Sequence, residues 1–288
     1  MGYELFIADR AFSSWSLRGW LMFEKFGIPC KSNLIGLYDG TMQQDIAKLA
    51  PARLVPVMRT PDGVLIGETL AMAETLNEHH PDAQMWPADP AARGLARWMA
   101  AEMHAGFHAL REHCAMQLLC QYKGFQPNTA VLADLDRLQT LWTLARTRHG
   151  ADGPWLFGAY SLADVFYAPV AARIAGYGLQ VGDLARDYVD TTLADPAFRR
   201  WRAMGLTKTY DPVPYALDLP KHRWPGPQPL SARAIDTGTA ENAACPYSGK
   251  PVTDLAEIDG RVIGFCNPFC RDKTVHDPLA WPQVAALL

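Results

Sequence analysis

Phe12-Ser13-Ser14-Trp15-Ser16-Leu17-Arg18 follows directly on a short apolar run, Glu4 to Ala8, that has strand character, and it opens an amphipathic segment, Trp15 to Phe26, that stops at Gly27 and Pro29. Strand, hydroxyl-rich turn and helix start in succession make a place where chemistry can be done. The first N–H groups of a helix have no partners within it and carry partial positive charge. A thiolate docked there is stabilised, and a serine hydroxyl supplies one more donor. The same serines also serve as plain N-caps. Taken alone the stretch is satisfied by a cap, and two later features give it a ligand.

The first is Arg53-Leu54-Val55-Pro56-Val57-Met58, a strand-like run interrupted by proline and followed by Pro61-Asp62-Gly63 and a second run, Val64-Leu65-Ile66. A proline inside a strand pattern marks an edge, a bulge or a cis bond. The residue before it can offer its N–H and C=O to an extended peptide. The second is Gly67 to Leu76, a helix that begins with Glu68-Thr69. Such a start holds a carboxylate on its N–H groups while Glu68 pairs with an amine; the alternative is an ordinary capped helix.

Together these three elements resemble the glutathione transferase superfamily over about residues 3–205, in the order and spacing of its thioredoxin-like domain. Residues 1–80 accordingly read β-α-β-α-β-β-α. Ser13-Ser14-Trp15-Ser16-Leu17-Arg18 is most similar to the Ser-Ser-Cys-Ser-Trp-Arg run of the zeta class. The resemblance puts Ser13 on the catalytic serine, with Ser14 beside it. It matches Val55-Pro56 to the Val and cis-Pro that pair with the cysteinyl backbone of glutathione, and Glu68-Thr69 to the Glu-Ser that holds the γ-glutamyl group. Trp15 stands where the zeta class has Cys, and Trp20 replaces its second arginine.

Composition fits a folded globular chain: 288 residues, 49% hydrophobic, 20% charged, net charge −3. This charge offers no nucleic-acid or anionic-membrane surface. No signal-peptide pattern and no membrane-spanning apolar run are visible. Six cysteines in a chain of this length do not read as a disulfide framework, so a reducing cytoplasm is expected.

Asp89-Pro90, a cap followed by proline at the first helical position, starts a long helical stretch expected to run to about Tyr122. His104, Phe107, His108 and Arg111 fall on it, as either the lining of an acceptor pocket with Trp15 or a polar seam between helices. The spacing of His104 and His108 also permits metal chelation, with no third ligand in a recognisable motif. A second periodic segment covers 129–148. Ser161 and Asp164 form a capping box ahead of a third helix that contains Pro169, and another helix is expected over Pro196 to Met204. The expected division is a thioredoxin-like domain at 1–82, an all-helical domain at 89–205, a Pro-rich connector at 206–242 and a small module at 243–288.

That module carries Cys245-Pro246-Tyr247-Ser248-Gly249-Lys250-Pro251-Val252, a hairpin turning at Asp259-Gly260, and Cys266-Asn267-Pro268-Phe269-Cys270. Thiolates at a strand end and one helical turn apart converge on one metal, zinc being the natural ion. Spacing and flanking residues resemble the TRASH and YHS heavy-metal modules. His276 or Asp277 is a fourth-ligand candidate. The alternative is a metal-free mini-domain with buried thiols.

The resemblance therefore implies a glutathione transferase-like enzyme, α/β plus all-α with a Cys-rich tail. It would lower the thiol pKa of bound glutathione through Ser13 and direct the thiolate at a small electrophile, as a homodimer. The alternative from a different class is a non-catalytic binding protein that senses or carries metal through its tail.

Overall fold

The computed structural model describes residues 2–38 and 40–288. β1 (Tyr3–Ile7), α1 (Ser14–Glu24), β2 (Cys30–Leu34), α2 (Met42–Ala47), β3 (Val57–Arg59), β4 (Leu65–Ile66) and α3 (Thr69–His79) follow in the order read from the sequence. They build a four-stranded sheet ordered β2-β1-β3-β4, in which β2 is parallel to β1 and the other pairs are antiparallel. A parallel pair needs a crossover, and α1 supplies it. Tyr3, Leu5 and Ile7 of β1 are buried at alternate positions. A Cβ added at Gly19 would lie 3.0 Å from Pro56 Cγ, so the glycine lets α1 settle onto the start of β3.

α4 (Pro90–Ala105) starts as expected, with Asp89 Oδ2 accepting from the Ala92 N–H at 2.7 Å. It does not run on to Tyr122. Phe107 takes a left-handed φ of 54° after Gly106, a new helix α5 (His108–His113) begins, and irregular chain leads to β5 (Gln121–Tyr122). A Cβ at Gly106 would come within 2.8 Å of the Glu102 carbonyl, so the turn needs a glycine. The start of α5 is held from outside: Asp134 of α6 (Thr129–His149) accepts from the Leu110 N–H at 2.9 Å. A cap supplied by another helix leaves no local signature.

α7 (Leu162–Tyr177) is buried along its whole length, with Pro169 inside it. Its capping box is formed as read. Asp164 accepts from the Leu156 N–H at 3.1 Å, the Ser161 N–H at 2.8 Å and the Ser161 hydroxyl at 3.1 Å. Burial pushes its carboxyl up to about 6 against the pull of these donors.

After α8 (Asp183–Ala194), α9 (Pro196–Gly205) leaves the first body. Two compact units result: residues up to 193 with 215–225, and residues 194–214 with 226–288. The division by contacts thus does not coincide with the one expected at 205. Ala203 of α9 joins Cys245, Ile258, Phe265 and Trp281 in one core, and Arg199 forms a two-pronged ion pair with Asp277 at 2.9 and 2.6 Å. A module of this size needs a staple or a host surface, and α9 is that surface.

The Pro-rich stretch is also less plain than its composition. β6 (Lys221–His222) pairs with β5, and β7 (Ala232–Ile235) adds a third strand to the hairpin of β8 (Asp254–Ile258) and β9 (Arg261–Phe265). The hairpin turn has Asp259 at φ 48° and Gly260 at φ 82°, as a type I′ turn requires. α10 (Pro268–His276) and α11 (Pro282–Ala285) complete the chain. Among the described residues no helix is long and apolar enough to cross a membrane.

Replacing Asp164 by Ala strands three donors at the start of a buried helix and is expected to lower the unfolding free energy by about 2–4 kcal/mol in chemical denaturation at neutral pH. The folded pKa of about 6 lies above the ordinary 3.8, so the native state binds this proton more tightly. The proton-linked part of the stability that Asp164 contributes is complete below the lower value and declines as pH rises through the higher one, while its hydrogen bonds to the helix start persist. The gap between wild type and Asp164→Asn is expected to narrow over that window.

Candidate active site

The serine turn is built from three hydroxyls. Ser13 is the N-cap of α1: its Oγ accepts from the Ser16 N–H at 3.3 Å and donates to Ser16 Oγ at 2.8 Å. Ser16 Oγ in turn accepts from the Ala8 N–H at 2.9 Å, which ties the turn to the end of β1. Ser13 is 7% exposed and its proton is engaged. Ser14 is half-buried, and its Oγ accepts from Arg173 Nη2 at 3.3 Å; among the described residues its own proton meets no acceptor.

The Val55–Pro56 bond is cis, with Val55 half-buried and Pro56 buried. Glu68 caps α3. Its Oε1 accepts from the Thr69 N–H at 2.6 Å and the Thr69 hydroxyl at 3.3 Å, and lies 3.4 Å from His104 Nε2. Thr69 is buried while Glu68 stays exposed.

A cleft of about 600 Å³ opens beside the turn, lined among others by Ser13, Ser14, Val55, Arg111, Arg173 and Tyr215. Trp15 and His108 also line it. Of the remaining expected pocket residues, Phe107 is buried at the left-handed turn, and His104 stands behind Trp15, its ring edge-on at 5.1 Å. His104 and His108 lie on separate helices, so the expected i, i+4 pair on one helix does not form.

Three guanidiniums gather here. Arg173 donates to the carbonyls of Cys114 at 2.9 Å and Pro169 at 3.3 Å besides Ser14. Arg111 donates to the His104 and Gly106 carbonyls, both at 3.3 Å, and stands 5.1 Å over the Trp15 ring. Arg18, 1% exposed, donates to the Phe166 carbonyl at 3.1 Å and lies 4.4 Å over the same ring. Among the described residues none of the three forms an ion pair with a carboxylate. Burial lowers all three, aided by mutual repulsion at Arg18 and Arg173, with Arg173 brought down to about 10. Glu68 offsets part of the charge on Arg18, and burying charge that is only partly offset costs several kcal/mol. Sequence reasoning missed Arg173 and Tyr215. The former had a signal: it is the one basic residue in a helix whose only other charged residue is the capping Asp164.

In the second unit the sulfurs of Cys245, Cys266 and Cys270 all lie within 4.8 Å of one another. Burial pushes the Cys245 thiol up, but the backbone N–H groups of Tyr247 and Cys266 and the Ser248 and Cys266 side chains outweigh it and hold it at about 7. Burial and the neighbouring sulfurs push Cys270 up to about 11. Asn267 Nδ2 donates to Cys266 Sγ at 3.2 Å. His276 is not part of the group, and neither is Asp277. The His276 ring is half-buried and hydrogen-bonds the Leu206 backbone, and the Asp277 carboxylate is engaged by Arg199, so the fourth ligand expected from the sequence is not supplied.

Residues 12–79 match the family model described as glutathione S-transferase, N-terminal domain. The fold is that of the glutathione transferases. A glutathione transferase homologue from Burkholderia, solved with bound glutathione, superposes with a TM-score of 0.55 at 20% identity, over 72% of this chain and 100% of its own. The maleylacetoacetate isomerase of Dictyostelium discoideum is 31% identical over 40% of this chain, a match that spans 52% of that protein. That of Pseudomonas aeruginosa is 28% identical over 68% of this chain and 94% of its own length.

Ser13→Ala is expected to cost about 1 kcal/mol of stability, the scale of a lost N-cap, and Ser14→Ala about as much, because it takes an acceptor from the buried Arg173 guanidinium; thermal melting of the two variants beside the wild type checks this.

Proposed function

We propose that this chain is a glutathione-dependent enzyme that presents the glutathione thiolate to a small electrophile bearing an acid group, by conjugation or by addition and elimination that isomerises a double bond. The contact between Ser14 and Arg173 carries the reading. Arg173 occupies a lone pair of Ser14 Oγ, so the serine O–H is directed outward, and the guanidinium charge makes it a better donor to sulfur. The N-terminus of α1 adds its partial positive charge. Both favour thiolate over thiol. Ser13 holds the turn in shape from beneath. The Val55 backbone pairs with the cysteinyl unit, and Glu68, aligned by Thr69, takes the γ-glutamyl amine.

Arg111 and Arg173 receive the acid group of the second substrate and set its electrophilic carbon beside the sulfur. In isomerisation the thiolate adds to one alkene carbon, the former double bond rotates as a single bond, and elimination returns the thiolate. Glutathione is regenerated, so no outside oxidant or reductant enters. The name of two relatives, maleylacetoacetate isomerase, supports this choice. Exposed Trp98 and Leu132 support pairing of two copies through the helical region. Six free cysteines support a reducing cytoplasm.

A second reading concerns the thiol cluster. Three sulfurs this close, surrounded by N–H and O–H donors, fit the thiolate set of a zinc site with one position left open. Cys245, Cys266 and Cys270 would hold the ion, which would staple the loop after β7 to the start of α10.

Isomerisation of maleylacetoacetate with glutathione tests the first reading. Ser14→Ala is expected to lower kcat/KM by about 10–100-fold, one charge-assisted hydrogen bond in the transition state, with glutathione affinity little changed. Arg173→Gln is expected to raise KM for the acid substrate. No glutathione-dependent activity with this substrate or with a nitro-activated aryl chloride rejects the proposal. Zinc titration of the full chain is expected to give one ion per chain, lost in Cys266→Ser while glutathione binding persists.

A further inference from the structure

The chain returns to the first unit at Tyr215–Pro225 and is fixed there along its length. Tyr122 Oη donates to the Tyr215 carbonyl and accepts from the Leu217 N–H, both at 3.3 Å. The Pro220 carbonyl accepts from the Lys123 N–H at 2.8 Å, and β6 pairs with β5 immediately after. Trp224 is buried beside Gly176 and Gln117 of the helical region. None of this segment was given a role in the sequence reading beyond that of a connector.

Its first residue is the unusual one. Tyr215 has a φ of 58°, a conformation side-chain-bearing residues seldom adopt, held by the contacts around it. Its ring lies 6.1 Å from Phe12 and 6.2 Å from Tyr38, edge-on to both, and the Tyr38 and Phe12 rings are themselves edge-on at 5.7 Å. Tyr38 Oη donates to Tyr215 Oη at 2.8 Å. With one ring edge and the hydroxyl so engaged, the side chain is still 49% exposed, and it lines the same cleft as Ser14, Arg111 and Arg173. Backbone strain maintained to present a half-exposed aromatic ring at a cleft serves a ligand better than it serves a core.

We propose that Tyr215 is a specificity-determining residue of the acceptor site: its ring, lining the cleft with Phe12 and braced by Tyr38, is the apolar wall against which the hydrocarbon part of the second substrate packs. The inference rests on the glutathione reading of the cleft. It divides the cleft by chemistry, with cationic side chains for the acid group and an aromatic wall for carbon. It also makes a segment outside residues 12–79 part of substrate choice.

Calorimetric binding of glutathione and of S-hexylglutathione to the full chain tests it, because the two ligands differ only in a hydrocarbon tail on the sulfur. Tyr215→Ala is expected to weaken S-hexylglutathione by about 5-fold or more, the scale of one lost apolar contact face, with glutathione itself unchanged. Tyr215→Phe keeps the ring and is expected to bind both as the wild type does. Thermal melting of each variant shows that the fold is retained. Equal affinities of wild type and Tyr215→Ala for the hexyl ligand overturn the inference while leaving the glutathione reading intact. Equal weakening of both ligands also overturns it, since Tyr215 then serves the glutathione site as a whole. A wild-type chain that binds neither ligand overturns the glutathione reading, and this inference with it.

Discussion

A buried guanidinium that has no carboxylate partner among the described residues organises the first unit. Arg173 sits on α7, a helix with no exposed face, and bonds three oxygens: the carbonyls of Cys114 and Pro169 and the hydroxyl of Ser14. Those partners belong to the chain beyond α5, to α7 itself and to the serine turn. One side chain therefore joins the serine turn to the helical region at the edge of the cleft. Neutral carbonyls satisfy its donors but do not cancel its charge, and the nearby Arg111 and Arg18 add to the imbalance. Arg111 and Arg173 both line the cleft and give that side of it positive charge.

That arrangement needs α7 to be rigid. The capping box at Ser161 and Asp164 fixes the start of the helix, and Tyr167 Oη anchors it to the Met99 carbonyl of α4 at 3.1 Å. Trp142 packs edge-on to Tyr167 from α6, 5.6 Å away. The helix that the capping box secures at its first turn therefore also carries Arg173, in its fourth.

The second unit follows a different logic. Its sheet and short helices enclose few apolar residues, and it completes its core with α9, borrowed from the chain just before it. Lys273 illustrates the economy of this core: its ammonium lies 3.6 Å from the Tyr247 ring centroid and 4.0 Å from that of Trp281, so aromatic faces help to stabilise a largely buried cation. The three thiols lie at the edge of this core, where the loop after β7 meets the start of α10.

Much of this was legible in the chain of residues. Alternation in β1, the proline at 56, the Asp-Gly turn and the capping box are local signals, each set by the conformational limits of a few neighbouring residues, and each is found as read. The serine turn, the Val55-Pro56 pair and the cysteine trio were likewise identifiable by residue type and spacing. What the sequence alone did not contain depends on residues far apart in the chain. The break at Gly106 is secured by a carboxylate from α6, β7 is a strand only because β8 receives it, and α9 changes units because its apolar face meets Phe265 and Trp281. The same holds at the site. Whether a serine is a cap or a donor is decided by which of its lone pairs and protons are already taken. Ser13 and Ser14 are alike in sequence, and Arg173, 159 residues beyond Ser14, makes them different. Spacing governs local backbone geometry, but the allocation of hydrogen bonds among distant groups is settled only when the chain has folded.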